Sequence, residues 1–476
     1  MKSKYLVRGI IGLAILYAIG MGIARQVQVG RLAQQLRVGS PEQRIAAAGK
    51  LMKRDRLYDK VQQMKPEERI AAAGAVKAIG GEMAVKQLLV LLKDADAKVK
   101  ESVTAHLIEI GGPHIDLLVP ALKDSDTNVN TGAANALVGI GPSVIPDVQA
   151  AAKDSTLRGQ AIGVLVRIGE PSVPAVVELL SESDQDLRMA AADALGKIGS
   201  KKATPALLEA ARDVAAVRRI AISSLCTITD PRSTDLLVDV LGRTDDDGEV
   251  RARAARALSV IGGGKAMSAL VGALGDLDLK VRTSVITGLQ RIGDPAVGPV
   301  MTAIGGGSAD VRHAGAAVME KIESASAASA LLRLAASPDP VVRLSGARGL
   351  GQQRSNPQIG ALIGLLADSD GRVADSAVQS LANLQSVAVS PLVAVLRSSG
   401  QSDTAKYRAA NALAKIGPTA SSSLIALAGS RGEGSVWAVY ALGQARDSSA
   451  RDLIRQLASR GDVEMKWTAE RALQRL

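Results

Sequence analysis

The chain offers few side chains suited to catalysis. Its histidines are His106, His114 and His313, and its one cysteine is Cys226. A metal or nucleophilic site needs such groups converging within a few ångströms. His106 and His114 fall on either side of a predicted turn, and His313 lies far downstream. Cys226 stands between Leu225 and Ile228 in a stretch of helical spacing, the place of a small buried residue. One cysteine also rules out an internal disulfide. The triplets Gly262-Gly263-Gly264 and Gly305-Gly306-Gly307 lack Walker or Rossmann spacing around them, so neither reads as a phosphate loop. No catalytic, cofactor-binding or metal-ligating set emerges.

Two other patterns could carry binding. The first is a row of arginines: Arg158, Arg188, Arg218, Arg251, Arg282, Arg312 and Arg343, each following an aliphatic residue. Such a row can grip an acidic partner. Alternatively, each arginine pairs with an aspartate of the turn before it and locks one repeat to the next. The second pattern is aromatic. Phe is absent, and the aromatics are Tyr5, Tyr17, Tyr58, Tyr407, Tyr440, Trp437 and Trp467. Tyr407, Trp437, Tyr440 and Trp467 fall in the last 70 residues. They suit either a C-terminal partner hot spot or packing of the core and cap.

The net charge of +11 is local. Residues 1–65 hold 13 Lys/Arg against Glu42, Asp55 and Asp59, and the remainder holds 45 against 44. A near-neutral body favours paired over free arginines. It also argues against a nucleic-acid surface, which would spread positive charge along one face. The basic residues flank an uncharged run from Gly9 to Ala24. Lys2, Lys4 and Arg8 precede that run, and small residues end it, so residues 1–25 read as a signal anchor or a cleaved signal peptide. The expectation is a membrane-anchored protein, touching the membrane through residues 5–24 and through basic residues 25–65 against anionic lipid. Its body is exported, with a cytoplasmic body or a secreted, cleaved form as alternatives.

From about Lys65 the sequence repeats at a period near 30 residues. Val99, Val129, Leu157, Leu187, Val217, Val250, Val281, Val311, Val342 and Val373 mark successive units, at steps of 28 to 33 residues. Eleven residues after a marker comes Ile and then Gly, as at Ile110-Gly111, Ile198-Gly199 and Ile292-Gly293. Apolar residues between them recur at helical spacing, predicting a first helix of about 12 residues ended by the glycine. A turn and a second helix follow, with Pro120, Pro146, Pro174, Pro205, Pro299 and Pro391 expected in its first turn. Acidic turns close the units. Their second aspartates, at Asp96, Asp126, Asp278 and Asp370, are placed to cap the next first helix. One helix pair cannot bury both its apolar faces alone, so the fold class is all-α, an elongated α-α superhelix of stacked pairs.

The pattern D-x-x-V-R…A-L…I-G…P-L…L-L-x-D resembles HEAT repeats, and in particular the short HEAT-like class named after phycobilisome lyases. The resemblance covers about residues 41–476. The chain is then expected to divide into a basic juxtamembrane segment and degenerate capping repeat at 26–64, about 13 HEAT-like repeats over 65–462, and a capping helix at 463–476. The resemblance supports the structural reading of the arginine row. The function expected is a non-enzymatic, membrane-associated scaffold or adaptor that binds unknown protein partners along a concave face made by the second helices. Two alternatives stand beside it. One is an enzyme or enzyme-assisting subunit of the phycobilin lyase or deoxyhypusine hydroxylase type. Those hydroxylases carry His-Glu pairs, whereas Leu107, Ile115 and Ala314 follow the histidines here. The other is nucleic-acid binding through the basic N-terminal segment.

Overall fold

A computed structural model describes residues 21–244, 247–353 and 358–476. Those residues form helices and turns without a strand. They divide into two compact units, residues 1–230 and 231–476, which are described separately.

In the first unit, the first helices of successive pairs are α1 (Pro41–Met52), α2 (Pro66–Ile79), α3 (Ala97–Ile110), α4 (Thr127–Ile140), α5 (Arg158–Ile168), α6 (Gln185–Ile198) and α7 (Ala215–Ile228). In the second unit they are α8 (Gly248–Ile261), α9 (Leu279–Ile292), α10 (Ala309–Met319), α11 (Pro340–Leu350), α12 (Gly371–Asn383), α13 (Asp403–Ile416), α14 (Ser435–Gln444) and α15 (Val463–Arg475). Second helices alternate with them, most of them shorter, such as Val173–Leu179 and Thr204–Ala210 in the first unit and Thr234–Gly242 and Ile359–Gly364 in the second.

The core is one stripe per first helix. Residues at the marker and four and eight places after it line a single face. Val99, Val103 and Leu107 do so in α3, and Val281, Val285 and Leu289 in α9, all fully or almost fully buried. Each large aliphatic so buried contributes about 1.5–3 kcal/mol. Small residues let neighbouring first helices approach closely. In α7, Ser224 donates its hydroxyl to the Ala192 carbonyl of α6 at 2.8 Å. A Cβ on Gly196 of α6 would stand 2.4 Å from the Ser224 Oγ. In the second unit, Ser380 of α12 donates to the Ala347 carbonyl of α11 at 2.9 Å.

The acidic turns have a division of labour. The second aspartate caps the next helix: Asp96 accepts from the Lys98 and Val99 amides, and Asp278 from those of Lys280 and Val281. The first aspartate of each pair braces the turn by accepting the amide of the second, at 2.9 Å for Asp94 and 2.8 Å for Asp368. Gly199 ends α6 in the left-handed region at φ 73°. Gly111 does not follow that pattern. It stays right-handed at φ −79° and leads directly into a short 3-10 turn, Gly112–His114.

Pro146, Pro174 and Pro205 occupy the first turn of their helices. Pro120, Pro299 and Pro391 lie further inside, because those second helices begin earlier, at Ile115, Asp294 and Ser386.

The membrane expectation requires correction. Residues 21–38 are helical, and within them Leu32 and Leu36 are buried while Arg25, Arg31 and Arg37 break any apolar run. Among the described residues no helix is long and apolar enough to cross a membrane. That overturns the membrane-anchored, exported placement. The larger part of the segment read as an anchor, residues 1–20, lies outside the described residues, and Tyr5 and Tyr17 with it. The basic stretch that follows also finds protein partners. Arg37 pairs with Glu68 at 2.9 Å, Arg56 with Asp59 at 3.5 Å, and Arg54 donates to Gln28 at 2.8 Å.

Candidate protein-binding surface

The arginine row is built into the turns. Arg188, in the first turn of α6, donates to the Glu182 and Ser183 carbonyls behind it, each at 2.9 Å. Its other edge forms a fork with Asp213, 25 residues ahead, at 2.6 and 3.1 Å. Arg343 repeats the arrangement in α11. It donates to the Ser337 and Pro338 carbonyls at 3.0 Å each, and to Asp368 at 2.7 and 2.9 Å. Arg251 reaches the Leu241 carbonyl and Asp276, and Arg158 the Ala152 carbonyl and Asp184 at 2.5 Å.

These arginines therefore take carbonyls from the turn before and a carboxylate from the turn after. The expected pairing with an aspartate of the preceding turn is not what forms. In Arg188's preceding turn, Asp184 already accepts the Asp186 and Leu187 amides as a helix cap. The Glu182 and Ser183 carbonyls lie in the bend just past the second helix Val173–Leu179, and the guanidinium satisfies them as backbone acceptors. Arg312 sits more loosely, with the Gly307 carbonyl at 3.0 Å and Asp339 at 3.9 Å. Arg282 donates to the Asp276 and Leu277 carbonyls at 2.5 and 3.0 Å. Arg218 is half-buried in α7. Charge-assisted forks hold the carboxylates ionised: Arg188 keeps Asp213, and Arg343 keeps Asp368, below the usual carboxylate range.

Three of the four C-terminal aromatics come together. The Tyr407 and Tyr440 ring centroids are 5.5 Å apart, and Trp437 lies 6.4 Å from each. These are tilted and edge-on contacts that aromatic rings favour. Tyr407, on α13, is 45% exposed. The Tyr440 hydroxyl donates to the Asn411 carboxamide at 3.2 Å and accepts from Gln444 at 2.7 Å. The neighbouring Tyr440 hydroxyl and then Asn411 hold the Tyr407 phenol below its ordinary pKa, while burial pushes that of Tyr440 up. Trp467 stands apart on α15, 56% exposed, with the Arg471 guanidinium 4.1 Å from its ring centre.

Tyr407 borders a cavity of about 760 Å³ that crosses α12, α13 and the end of α14, between Asp375, Arg408, Asn411, Lys415 and Gln444. A second, of about 550 Å³, crosses the end of α10, α11 and α12 and shares Asp375 with it. Both lie on first helices, where a surface made by second helices was expected. None of Asp375, Arg408, Asn411, Lys415 or Gln444 was singled out from the sequence. Aligning the first helices on their buried leucine is the signal that brings them into register.

The remaining reactive groups are dispersed. His313 bonds Asp339 at 2.9 Å. His106 lies 3.4 Å from the Ser102 hydroxyl, and burial holds its imidazole below the ordinary pKa. His114 is the last residue of its 3-10 turn, and Cys226 is half-buried in α7. Among the described residues no group of three or more His, Cys, Asp or Glu side chains is placed to hold a metal ion.

Solved structures similar to this chain include Kap121p, 12% identical, with 94% of this chain covering 56% of that one at a TM-score of 0.46. Kap95p, solved with RanGDP, is 14% identical, with coverage of 94% and 72% and a TM-score of 0.44. Human deoxyhypusine hydroxylase is 20% identical, with coverage of 52% and 97% and a TM-score of 0.24. The chain thus spans little more than half the length of the Kap121p structure. None of these likenesses bears on what this chain binds. No curated protein matches the sequence. The family model for HEAT repeats matches residues 147–226, 234–306 and 302–382, without distinguishing the phycobilisome lyase-type class. These consecutive matches, over stacked helix pairs with the repeat's capped and glycine-ended first helices, identify the chain as a HEAT-repeat protein.

Proposed function

We propose that this protein is a non-catalytic scaffold that binds other proteins along the face formed by its first helices. The observation that carries the reading is the pair of adjoining cavities across α10–α14, bordered by the exposed ring of Tyr407. Tyrosine, tryptophan and arginine side chains are over-represented among the residues that dominate protein–protein affinity. The polar chemistry elsewhere supports the same reading. The guanidinium groups of Arg188, Arg251 and Arg343 are engaged by carboxylates of the next turn, and His313 by Asp339. Side chains so engaged join repeats and are poorly placed to act on a substrate.

The test is crosslinked capture from a cell lysate with the intact chain and with Tyr407→Ala. The expected result is a stoichiometric protein partner on the intact chain that is reduced or lost on the variant. Retention of no protein partner by the intact chain would overturn the proposal.

A further inference from the structure

Aligned on the buried leucines Leu350, Leu381, Leu413 and Leu442, the helices α11–α14 present two polar columns. Residues two places before the leucine are Arg348, Gln379, Asn411 and Tyr440. Those two places after it are Gln352, Asn383, Lys415 and Gln444. The two positions are one helical turn apart and share a face, and every member of the columns but Tyr440 borders one of the cavities described above. Five of the eight side chains are carboxamides, and Lys415 and Tyr440 are hydrogen-bonded to them. Lys415 donates to Gln379 at 2.8 Å, Gln379 to Asn383 at 3.0 Å, and Gln444 to Tyr440 at 2.7 Å.

This is not the general habit of the exposed face. At the same two positions α6 carries Asp193 and Lys197, which pair with each other at 2.7 Å, and α8 carries Arg256 and Val260. Across α2–α10 the only carboxamide there is Asn135. A carboxamide offers a donor and an acceptor together, the complement of a peptide group. Within the chain described, the Asn383 amide and the Gln444 carbonyl oxygen each keep capacity beyond the bonds above.

The charge of the cavities points to the partner's sign. Asp370 pairs with Arg372 at 2.7 Å. That leaves Lys321, Arg348, Arg408 and Lys415 against Glu320 and Asp375. Carboxylates among the lining residues disfavour a polyphosphate backbone, while a peptide meets both features by placing acidic side chains over the cations and its main chain along the amides. At about 10 Å between packed helices, α11 to α14 span roughly 30 Å, the reach of about nine extended residues.

We propose that the columns on α11–α14 hold an extended acidic polypeptide segment, with the carboxamides reading its main chain. The inference rests on the scaffold reading and names its class of partner. It is tested by panning a display library of random peptides, about twelve residues long, on the immobilised intact chain. The selected peptides are then measured in solution by fluorescence anisotropy. The expected result is enrichment of net-negative peptides whose affinity falls roughly tenfold or more in the double variant Gln379→Ala/Asn411→Ala. The exposed, isosteric Asn383→Asp should weaken them as well, by roughly threefold. N-methylation of alternate main-chain amides in the peptide should abolish binding, and Asp193→Ala/Lys197→Ala on α6 should leave it unchanged. Circular dichroism of each variant checks that the helices are intact.

Enrichment of neutral or basic peptides would overturn the proposal, as would equal binding to wild type and Asn383→Asp. So would displacement of the selected peptide by an oligothymidine. If lysate capture still retains a partner on Gln379→Ala/Asn411→Ala, the scaffold reading stands and this inference fails. If the peptides bind as expected while capture retains nothing, the reverse holds.

Discussion

Replacing Arg343 by methionine keeps an unbranched apolar stem and removes the guanidinium. Four hydrogen bonds go with it: two to Asp368 and one each to the Ser337 and Pro338 carbonyls. The Asp368 carboxyl is 6% exposed, so the variant leaves a charge in a dry place. Breaking a buried pair by removing one partner costs about 3–5 kcal/mol. Two features place this pair at or below the lower end. Asp368 keeps the Asp370 amide at 2.8 Å, and Arg343 is itself 16% exposed. The expected loss is about 2–3 kcal/mol.

In a repeat array that loss belongs to one interface. Amide hydrogen exchange should therefore accelerate in α11 and α12 and leave α2 and α3 unchanged. Urea unfolding followed by circular dichroism gives the magnitude. Adding Asp368→Asn to Arg343→Met should cost less than the two single changes summed. The pH dependence has a definite sign. Arg343 holds the Asp368 pKa below its unfolded value of about 3.9. The pair's contribution is therefore complete above that value and is lost as pH falls through the folded pKa. The gap between wild type and Arg343→Met should be widest at neutral pH and shrink as the pH falls, because the unpaired, buried carboxyl of the variant takes up its proton before the paired one of the wild type. A loss under roughly 0.5 kcal/mol, typical of an exposed pair, would refute the reasoning. A double-mutant coupling of zero would do the same.

Gly196→Leu should destabilise the first unit by about 1–3 kcal/mol, since its Cβ would meet Ser224 at 2.4 Å, and Ser224→Gly in the same chain should recover part of it. Thermal melts of the wild type and the two variants measure this. Asp278→Ala removes the cap on the Lys280 and Val281 amides of α9 and should cost about 1 kcal/mol in urea unfolding. In an alkaline ultraviolet titration, Tyr407 should ionise before Tyr440. Tyr407→Phe should remove the earlier transition.

The helices were legible because each repeat punctuates itself. Asp278 opens α9 and Gly293 closes it, and between them the apolar stripe has only one register that buries Val281, Val285 and Leu289 together. The columns on α11–α14 were not legible in the same way, because Gln379 or Asn383 alone is an ordinary exposed polar residue. They acquire meaning only when Leu350, Leu381, Leu413 and Leu442 are superposed. The direction of the arginine ties was hidden for a different reason. Asp184 is four residues from Arg188 and Asp213 is 25 away, so sequence proximity favours the wrong partner. What decides is prior commitment: one oxygen of Asp184 caps its helix and the other takes Arg158 from the repeat before, and the near side of the Arg188 guanidinium is occupied by carbonyls.

That rule identifies a weak joint. The position 25 residues after Arg282 is Gly307, so the forward carboxylate is missing there. Among the described residues Arg282 bonds only the Asp276 and Leu277 carbonyls. The α9–α10 junction lacks the forward tie that Asp368 gives α11–α12. Within the second unit, hydrogen exchange of the intact chain should thus open at α9–α10 before α11–α12. A glycine-to-aspartate change at 307 cannot simply restore the tie, because a Cβ there would press on the Ala303 carbonyl at 2.6 Å and on Val311. The glycine that lets the chain turn at this point is also what excludes the carboxylate, so local backbone packing and a stronger junction cannot both be satisfied at that residue.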